Sequence, residues 1–273
     1  MRSRKWRLRA GLLLVSALFL LPQLWLLSLS LKQKSAIYEF PPRWIPAEPS
    51  MSNYVFALTQ TQVPWYLWNS VKVAGLAAVI TVLVATPAAF VLSRERFRGQ
   101  GPLLAGLLAV QMISPVILLL PIYALVEGAG LIDTHAGLIV VYASIQVPFT
   151  VWVLKNFFDA IPPAIFEAAR LDGASRLRTA WYIAVPLAAP GLAATAIFNL
   201  AAYWSEFALA LVLLDSQSRF TIPLGVFSFQ SAYDSEWHLV AAASIIGLVP
   251  MMAAFVFLQR YFIAGLTAGA VKG

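Results

Sequence analysis

The chain has 273 residues, 60% of them hydrophobic and only 11% charged, with a mean hydropathy of +0.79. That is too little polar surface to coat a soluble globule of this length, so the composition is that of an integral membrane protein. Cysteine is absent, which excludes disulfides and thiolate-bound metals, while the net charge of +7 and pI near 9.8 leave nucleic-acid binding and membrane topology to be told apart by where the charges lie.

A helix needs about 20 apolar residues to cross the hydrocarbon core, and six runs of that kind follow one another along the chain. The first, residues 10–31, comes after the basic stretch "MRSRKWRLR". It is longer than a signal-peptide apolar region and has no A-x-A site after it, so it reads as an uncleaved span. The others are 65–92, interrupted only by Lys72, then 101–126, 136–154, 187–214, interrupted only by Glu206, and 239–259. The fold expected is all-α: a single transmembrane domain over 1–273 with six transmembrane helices.

With residues 1–9 in the cytoplasm, the inside segments hold Arg2, Arg4, Lys5, Arg7, Arg9, Arg94, Arg96, Arg98, Lys155, Arg170, Arg176, Arg178, Arg260 and Lys272. The outside segments hold only Lys32, Lys34, Arg43 and Arg219. This asymmetry obeys the positive-inside rule and puts both termini in the cytoplasm. The basic pI is thereby a property of topology, and no nucleic acid is implied.

Between the fourth and fifth spans lies the segment 155–186, which carries Glu167, Arg170, Asp172, Arg176 and Arg178 in an otherwise apolar neighbourhood. Its grammar predicts a helix, a turn and a helix. Pro162 and Pro163 suit a first turn, "AIFEAARL" is a run of good helix formers, and Asp172-Gly173 is a stop. Ser175 can cap a second helix that ends near Pro186, just before Pro190 and Gly191 open the fifth span. Taken by itself the segment could be no more than a solvated connector.

The pattern E-A-A-x-x-D-G-A followed by I-x-V-P, here Glu167, Ala168, Ala169, Asp172, Gly173, Ala174, Ile183 and Pro186 with Pro190 beyond, resembles the EAA signature of binding-protein-dependent ABC transporter permeases. The Pro-rich outer segment "FPPRWIPAEPSMSNY", Asn69-Ser70, "WSEF" at 204–207 and the ending "GLTAGAVKG" look like the carbohydrate-uptake branch, of the maltose type. The resemblance covers essentially the whole chain. Departures from the usual pattern are Ala180, Val185 and Ser205.

The resemblance implies a multi-pass subunit of the bacterial or archaeal cytoplasmic membrane, half of a heterodimeric pathway for sugar or oligosaccharide uptake. Its partners would be a second permease subunit, two ATP-binding subunits, an extracytoplasmic sugar-binding protein and membrane lipid. The loop, including Arg170, would dock on an ATP-binding subunit and transmit its motion to spans that rock between outward-open and inward-open states. The tail with Thr267, Ala268, Gly269 and Lys272 would reach the interface of the ATP-binding subunits.

The chemistry would belong to the partners, because no G-x-x-x-x-G-K-[ST] loop occurs and no Gly is followed by Lys. No cofactor is expected on this chain, ATP being bound by the partner subunits, and no metal either, since His135 and His238 read as interfacial residues near outer span ends. Trp65, Tyr66, Trp68 and Trp237 read as aromatic-belt anchors, with stacking on a sugar as the alternative. An ion-coupled secondary transporter is a second functional class, but it should show several titratable residues within spans or an inverted repeat. An importer for a non-sugar solute, such as a glycerol phosphodiester, is a third reading.

The two charges within spans are Lys72 and Glu206. At a rise of about 1.5 Å per residue they lie roughly 10 and 12 Å below the outer edge, at one level. Three readings follow: Lys72 snorkels outward, Glu206 with Trp204 and Ser205 faces a water-filled pathway, or the two form a latch between the second and fifth spans.

Overall fold

The computed structural model describes the backbone of residues 2–230 and 236–270, with side chains for residues 6, 9, 11–230 and 236–257. Among the described residues all regular structure is helical. In chain order the elements are α1 (Arg2–Ser30), α2 (Lys34–Ile37), α3 (Ser52–Thr59), α4 (Val63–Arg94), α5 (Gln100–Gln111), α6 (Leu119–Gly128) and α7 (His135–Asp159). They continue as α8 (Pro163–Leu171), α9 (Arg176–Thr179), a π-turn (Ala180–Ala184), α10 (Val185–Leu187), α11 (Ala189–Trp204), α12 (Ala208–Leu213), α13 (Ile222–Phe227) and α14 (Trp237–Ala270).

Four of these helices are long and apolar enough to cross a membrane: α1 over Gly11–Ser30, α4, α7, and α14 over Trp237–Phe257. A fifth is counted if Arg176–Leu187 and Ala189–Trp204, bent by 74° at their junction, form one span. The six uninterrupted spans expected from apolar length are therefore not all continuous. The run 101–126 divides into α5 and α6 around residues 112–118, where Ser114 precedes Pro115. The ring of Pro115 disfavours helical dihedrals at Ser114 and supplies no N–H, so an apolar run there need not be one helix. The run 187–214 likewise divides, with residues 205–207 outside both α11 and α12.

The chain separates into two compact units: residues 1–65 with 222–250, and residues 66–221 with 251–273. In the first, the end of α1 is tied to the outer segment. Asn53 donates to the Ser30 and Lys32 carbonyls at 2.8 Å each, satisfying acceptors that a helix end leaves free. Ser28 donates to the Trp44 carbonyl at 2.6 Å, Trp25 and Trp44 meet edge to face at 4.7 Å, and the buried Lys32 ammonium donates to the Arg43 carbonyl and sits over Trp25.

In the second unit a core gathers Ala85, Ala89 and Leu92 of α4, Val151, Leu154 and Phe158 of α7, and Ile161, Ala184 and Ala188. Alanines on the α4 and α10 sides let backbones approach closely, which drives helix association where no hydrophobic gain over lipid exists. Gly191 shows the same need: a Cβ there would lie 2.3 Å from Cγ of Phe157, inside contact distance of a ring held by its neighbours.

Candidate functional site

All of the charged connector lies within the second unit. Pro162 precedes α8 in an extended conformation and Pro163 occupies its first position, where the missing N–H costs nothing. The helix closes in a Schellman motif: Gly173 at φ +75° donates to the Arg170 carbonyl at 3.0 Å, and Ala174 donates to the Ala169 carbonyl at 2.9 Å. Ser175 then caps α9, its hydroxyl accepting from the Arg178 N–H at 3.3 Å.

Two faces result. Ala169 is 5% exposed and Phe166 is half-buried, turned toward the rest of the unit. Glu167, Ala168, Arg170, Asp172 and Gly173 are exposed, as is Leu171 at 90%. Of the two alanines in the E-A-A pattern, Ala169 is buried in this chain's own packing, whereas Ala168 is exposed. Behind the loop a cavity of about 300 Å³ opens between it and the end of α4, lined among others by Arg94, Glu95, Phe166, Glu167, Arg170 and Arg176.

The second arm departs from the expected helix over 176–186. After one turn of α9 the chain widens into the π-turn and then α10, which contains Pro186, before bending at Ala188 into α11. Pro186 and Pro190 can each make no backbone N–H bond, and a π-turn with a bend is how a helix absorbs such gaps.

At mid-span the structure brings Glu206 to Tyr142 and not to Lys72. The Tyr142 hydroxyl donates to the Glu206 carboxylate at 2.6 Å, and the same carboxylate accepts from the N–H groups of Leu209 at 2.8 Å and Ala210 at 3.2 Å. Glu206, one residue before the N-cap Phe207, thus satisfies two of the free N–H groups that open α12. Among the described residues it makes no ion pair, so a latch through Lys72 is not formed; Lys72 instead lies within electrostatic range of His135 at the start of α7. Ser205 turns back to the Ala201 and Ala202 carbonyls, and Trp204, half-buried, ends α11.

Residues that sequence reasoning missed complete a polar chain through this level. The Tyr142 and Tyr203 rings stack at 5.2 Å with an 8° interplanar angle, and the Tyr203 hydroxyl bonds Thr81 of α4 at 2.7 Å. One turn away the buried Asn199 donates to Thr150 at 3.0 Å. The signal was available, since Asn199, Tyr203 and Glu206 recur at i, i+4 and i+7, one face of α11 and its continuation, opposite Tyr142 and Thr150.

The expected tail residues Thr267, Ala268 and Gly269 belong to α14, while Lys272 lies outside the described residues. Among the described residues no group of three or more His, Asp or Glu side chains converges as a metal site would require.

Against this geometry, residues 82–267 match the family described as binding-protein-dependent transport system inner membrane component. The chain is 32% identical to the sulfoquinovosyl glycerol transport system permease protein of Agrobacterium fabrum, over 97% of this chain and 92% of that one. It is 31% identical to the diacetylchitobiose uptake system permease protein of Streptomyces coelicolor (99% and 98% covered) and 31% identical to the trehalose/maltose transport system permease protein of Thermococcus litoralis (96% and 95%). Its fold is similar to a chain in the crystal structure of a bacterial ABC transporter involved in import of the acidic polysaccharide alginate, with a TM-score of 0.79 at 22% identity over 96% of this chain and 98% of that one. An inward-facing methionine ABC transporter is similar at a TM-score of 0.60 and 16% identity over 73% and 94%. With its apolar helices, its EAA-type loop and these matches over most of its length, the chain belongs to the binding-protein-dependent transport system inner membrane component family, the membrane-spanning permeases of ABC importers.

Proposed function

We propose that this permease carries a carbohydrate, as one half of a heterodimeric pathway with a second permease subunit, and that the 163–187 loop couples the pathway to two ATP-binding subunits that hydrolyse the ATP. The observation that carries the coupling role is the loop's two-faced construction: one face is held in the protein while Glu167, Ala168, Arg170, Leu171, Asp172 and Gly173 remain outward. The Schellman turn holds that outward face in one ordered presentation, with Leu171 90% exposed beside Glu167, Arg170 and Asp172. The carbohydrate assignment rests on the relatives, whose transport systems are those for a sulfoquinovosyl glycerol, diacetylchitobiose, and trehalose or maltose.

In this reading ATP binding and release close and open the ATP-binding pair, the loop follows, and α7 and α11, which flank it in sequence, rock between outward-open and inward-open states. The divided runs 101–126 and 187–214 would complete six passes, with both termini in the cytoplasm, which the distribution of Lys and Arg supports. The gap at residues 205–207 fits a pathway lining, because non-helical backbone at membrane depth is tolerated where it is buried in protein or faces water. The α14 end with Thr267, Ala268 and Gly269 would approach the ATP-binding subunits.

ATP-driven uptake by vesicles holding the whole complex and an extracytoplasmic binding protein tests this. Accumulation of a labelled di- or trisaccharide that the binding protein retains, and not of a glycerol phosphodiester, is the expected result. Uptake that follows a sodium or proton gradient without ATP would overturn the reading, and retention of only phosphodiesters would overturn its carbohydrate part.

A further inference from the structure

At its cytoplasmic end α4 finishes in Ser93 and Arg94, with Glu95 the next residue along the chain. Each of the three reaches a different part of the loop or its root. The Ser93 hydroxyl donates to Asp159, the last residue of α7, at 2.6 Å. The Arg94 guanidinium donates to the Phe158 carbonyl and, at 3.0 Å, to the Ile161 carbonyl, and its carbon lies 4.0 Å from the Phe166 ring centroid. The Glu95 carboxylate pairs with Arg176 of α9 at 3.0 Å.

These contacts are not equal. Arg176 is 78% exposed in its pair, so water and salt screen that bridge and it holds little by itself. Arg94 is different in kind. Phe158 and Ile161 sit where α7 ends and the chain turns toward α8; the Phe158 carbonyl, which also accepts from the Ile161 N–H at 3.0 Å, uses its second lone pair for Arg94. One guanidinium nitrogen, Nη2, donates to both carbonyls while the planar group lies over Phe166; a lysine ammonium can donate to a carbonyl and sit over a ring, as Lys32 does, but has no flat face to stack. Phe166 is the residue before Glu167 and packs in turn on Phe90, at 6.2 Å between centroids. One side chain therefore joins the end of α4, the end of α7 and the first turns of α8.

We propose that Arg94 is a positioning residue that locks the α8 arm of the loop to the cytoplasmic ends of α4 and α7, so that these helices and the loop move as one body. The proposal rests on the coupling role above for its consequence in transport, but its geometry stands without that role. A purely topological arginine would be replaced by lysine without loss, since the positive-inside rule counts charge alone.

The chain's lack of cysteine permits a direct test in the full complex with its ATP-binding subunits. Spin labels are placed at Arg96→Cys and Ala164→Cys, both exposed positions, and the distance distribution between them is read with Arg94, Arg94→Lys and Arg94→Ala. Alongside it, stimulation of ATP hydrolysis by the substrate-loaded binding protein is measured per unit of membrane-embedded permease. We expect Arg94→Ala to broaden the distribution and to reduce stimulation by at least about tenfold, the change that loss of one hydrogen bond from a charged donor produces. Arg94→Lys should fall between the two. Unchanged distributions in Arg94→Ala would overturn the proposal. So would a lysine variant identical to the parent beside an alanine variant missing from the membrane, since that pattern marks a topological charge. A broadened distribution with full stimulation would support the positioning role and overturn instead the coupling role of the loop.

Discussion

Replacing Gly173 by valine perturbs a single backbone angle. The residue sits at φ +75°, and a Cβ built on it meets nothing within 4 Å, so the cost is conformational rather than steric crowding within the chain. Holding an L-residue in the left-handed region costs about 1–2 kcal/mol, more for a β-branched side chain. The alternative is to give up the Schellman bonds to the Arg170 and Ala169 carbonyls. A penalty of that size shifts the population of the ordered turn about 5- to 30-fold. Asparagine, which enters the left-handed region readily, should be milder than alanine, and alanine milder than valine. The assay is ATP-driven uptake and substrate-stimulated hydrolysis in vesicles, normalised to permease present in the membrane, which should not change because the site lies outside the long apolar helices. Normal stimulation with Gly173→Val would refute the reasoning. So would an asparagine variant as damaged as the valine one, because bulk against a partner and not the backbone angle would then be at fault.

Four further outcomes follow from the geometry. Tyr142→Phe removes a hydrogen bond to a buried-side carboxylate and should lower stability in detergent by about 1.5–3 kcal/mol, read as a fall in Tm; because Lys72 forms no pair with Glu206, the double swap of Lys72→Glu with Glu206→Lys should transport no better than Glu206→Lys alone, and rescue by the swap would show that they meet. Gly191→Ala forces a methyl into the Phe157 ring and should cost about 1–3 kcal/mol, whereas adding it to Phe157→Ala should cost almost nothing further, a non-additivity measurable by thermal melts. At the turn between α6 and α7, partial burial raises the Asp133 carboxyl, but hydrogen bonds from Ser216 and Asp215 and the nearby Arg219 outweigh it and hold it below the usual carboxylate range. A group depressed in the folded state stabilises above its unfolded pKa and loses that contribution as pH falls through the folded value. Asp133→Asn should therefore loosen the 214–219 segment to protease at neutral pH, with the difference from the parent shrinking below about pH 4; an undiminished difference in acid would refute the assignment.

Much of this protein was legible in its residues because the signals are local. Apolar length finds α1, α4, α7 and α14 since every backbone group in lipid must be paired within its own helix, which makes a long uncharged run almost synonymous with a span. The loop was legible for a similar reason. Pro162 and Pro163, the helix formers between them and Leu171, the Asp172-Gly173 stop and the Ser175 cap each act through neighbours a few residues away, and each appears where the local rules put it. The length of α9 was not legible, because the π-turn at 180–184 depends on how the following prolines and the 74° bend are accommodated in the packed unit.

What the sequence by itself determined was therefore membrane residence, the helical class, the loop's turn and the family pattern around Glu167 and Gly173. Tertiary structure decided where the fifth apolar run breaks, at residues 205–207, because apolarity measures affinity for lipid and is blind to chain direction, whereas the break in the third falls at a Ser114-Pro115 step that local rules already disfavour as helix. It also decided partners: Glu206 and Lys72 share a depth, yet the carboxylate turns to Tyr142 and to the N–H groups that open α12. Arg94 reads in sequence as one positive charge among many on the inside. Only the folding of α4 against α7 and α8 puts two carbonyls and the Phe166 ring within reach of its guanidinium, since a hydrogen bond between residues more than sixty apart is set by packing and leaves no trace in local spacing.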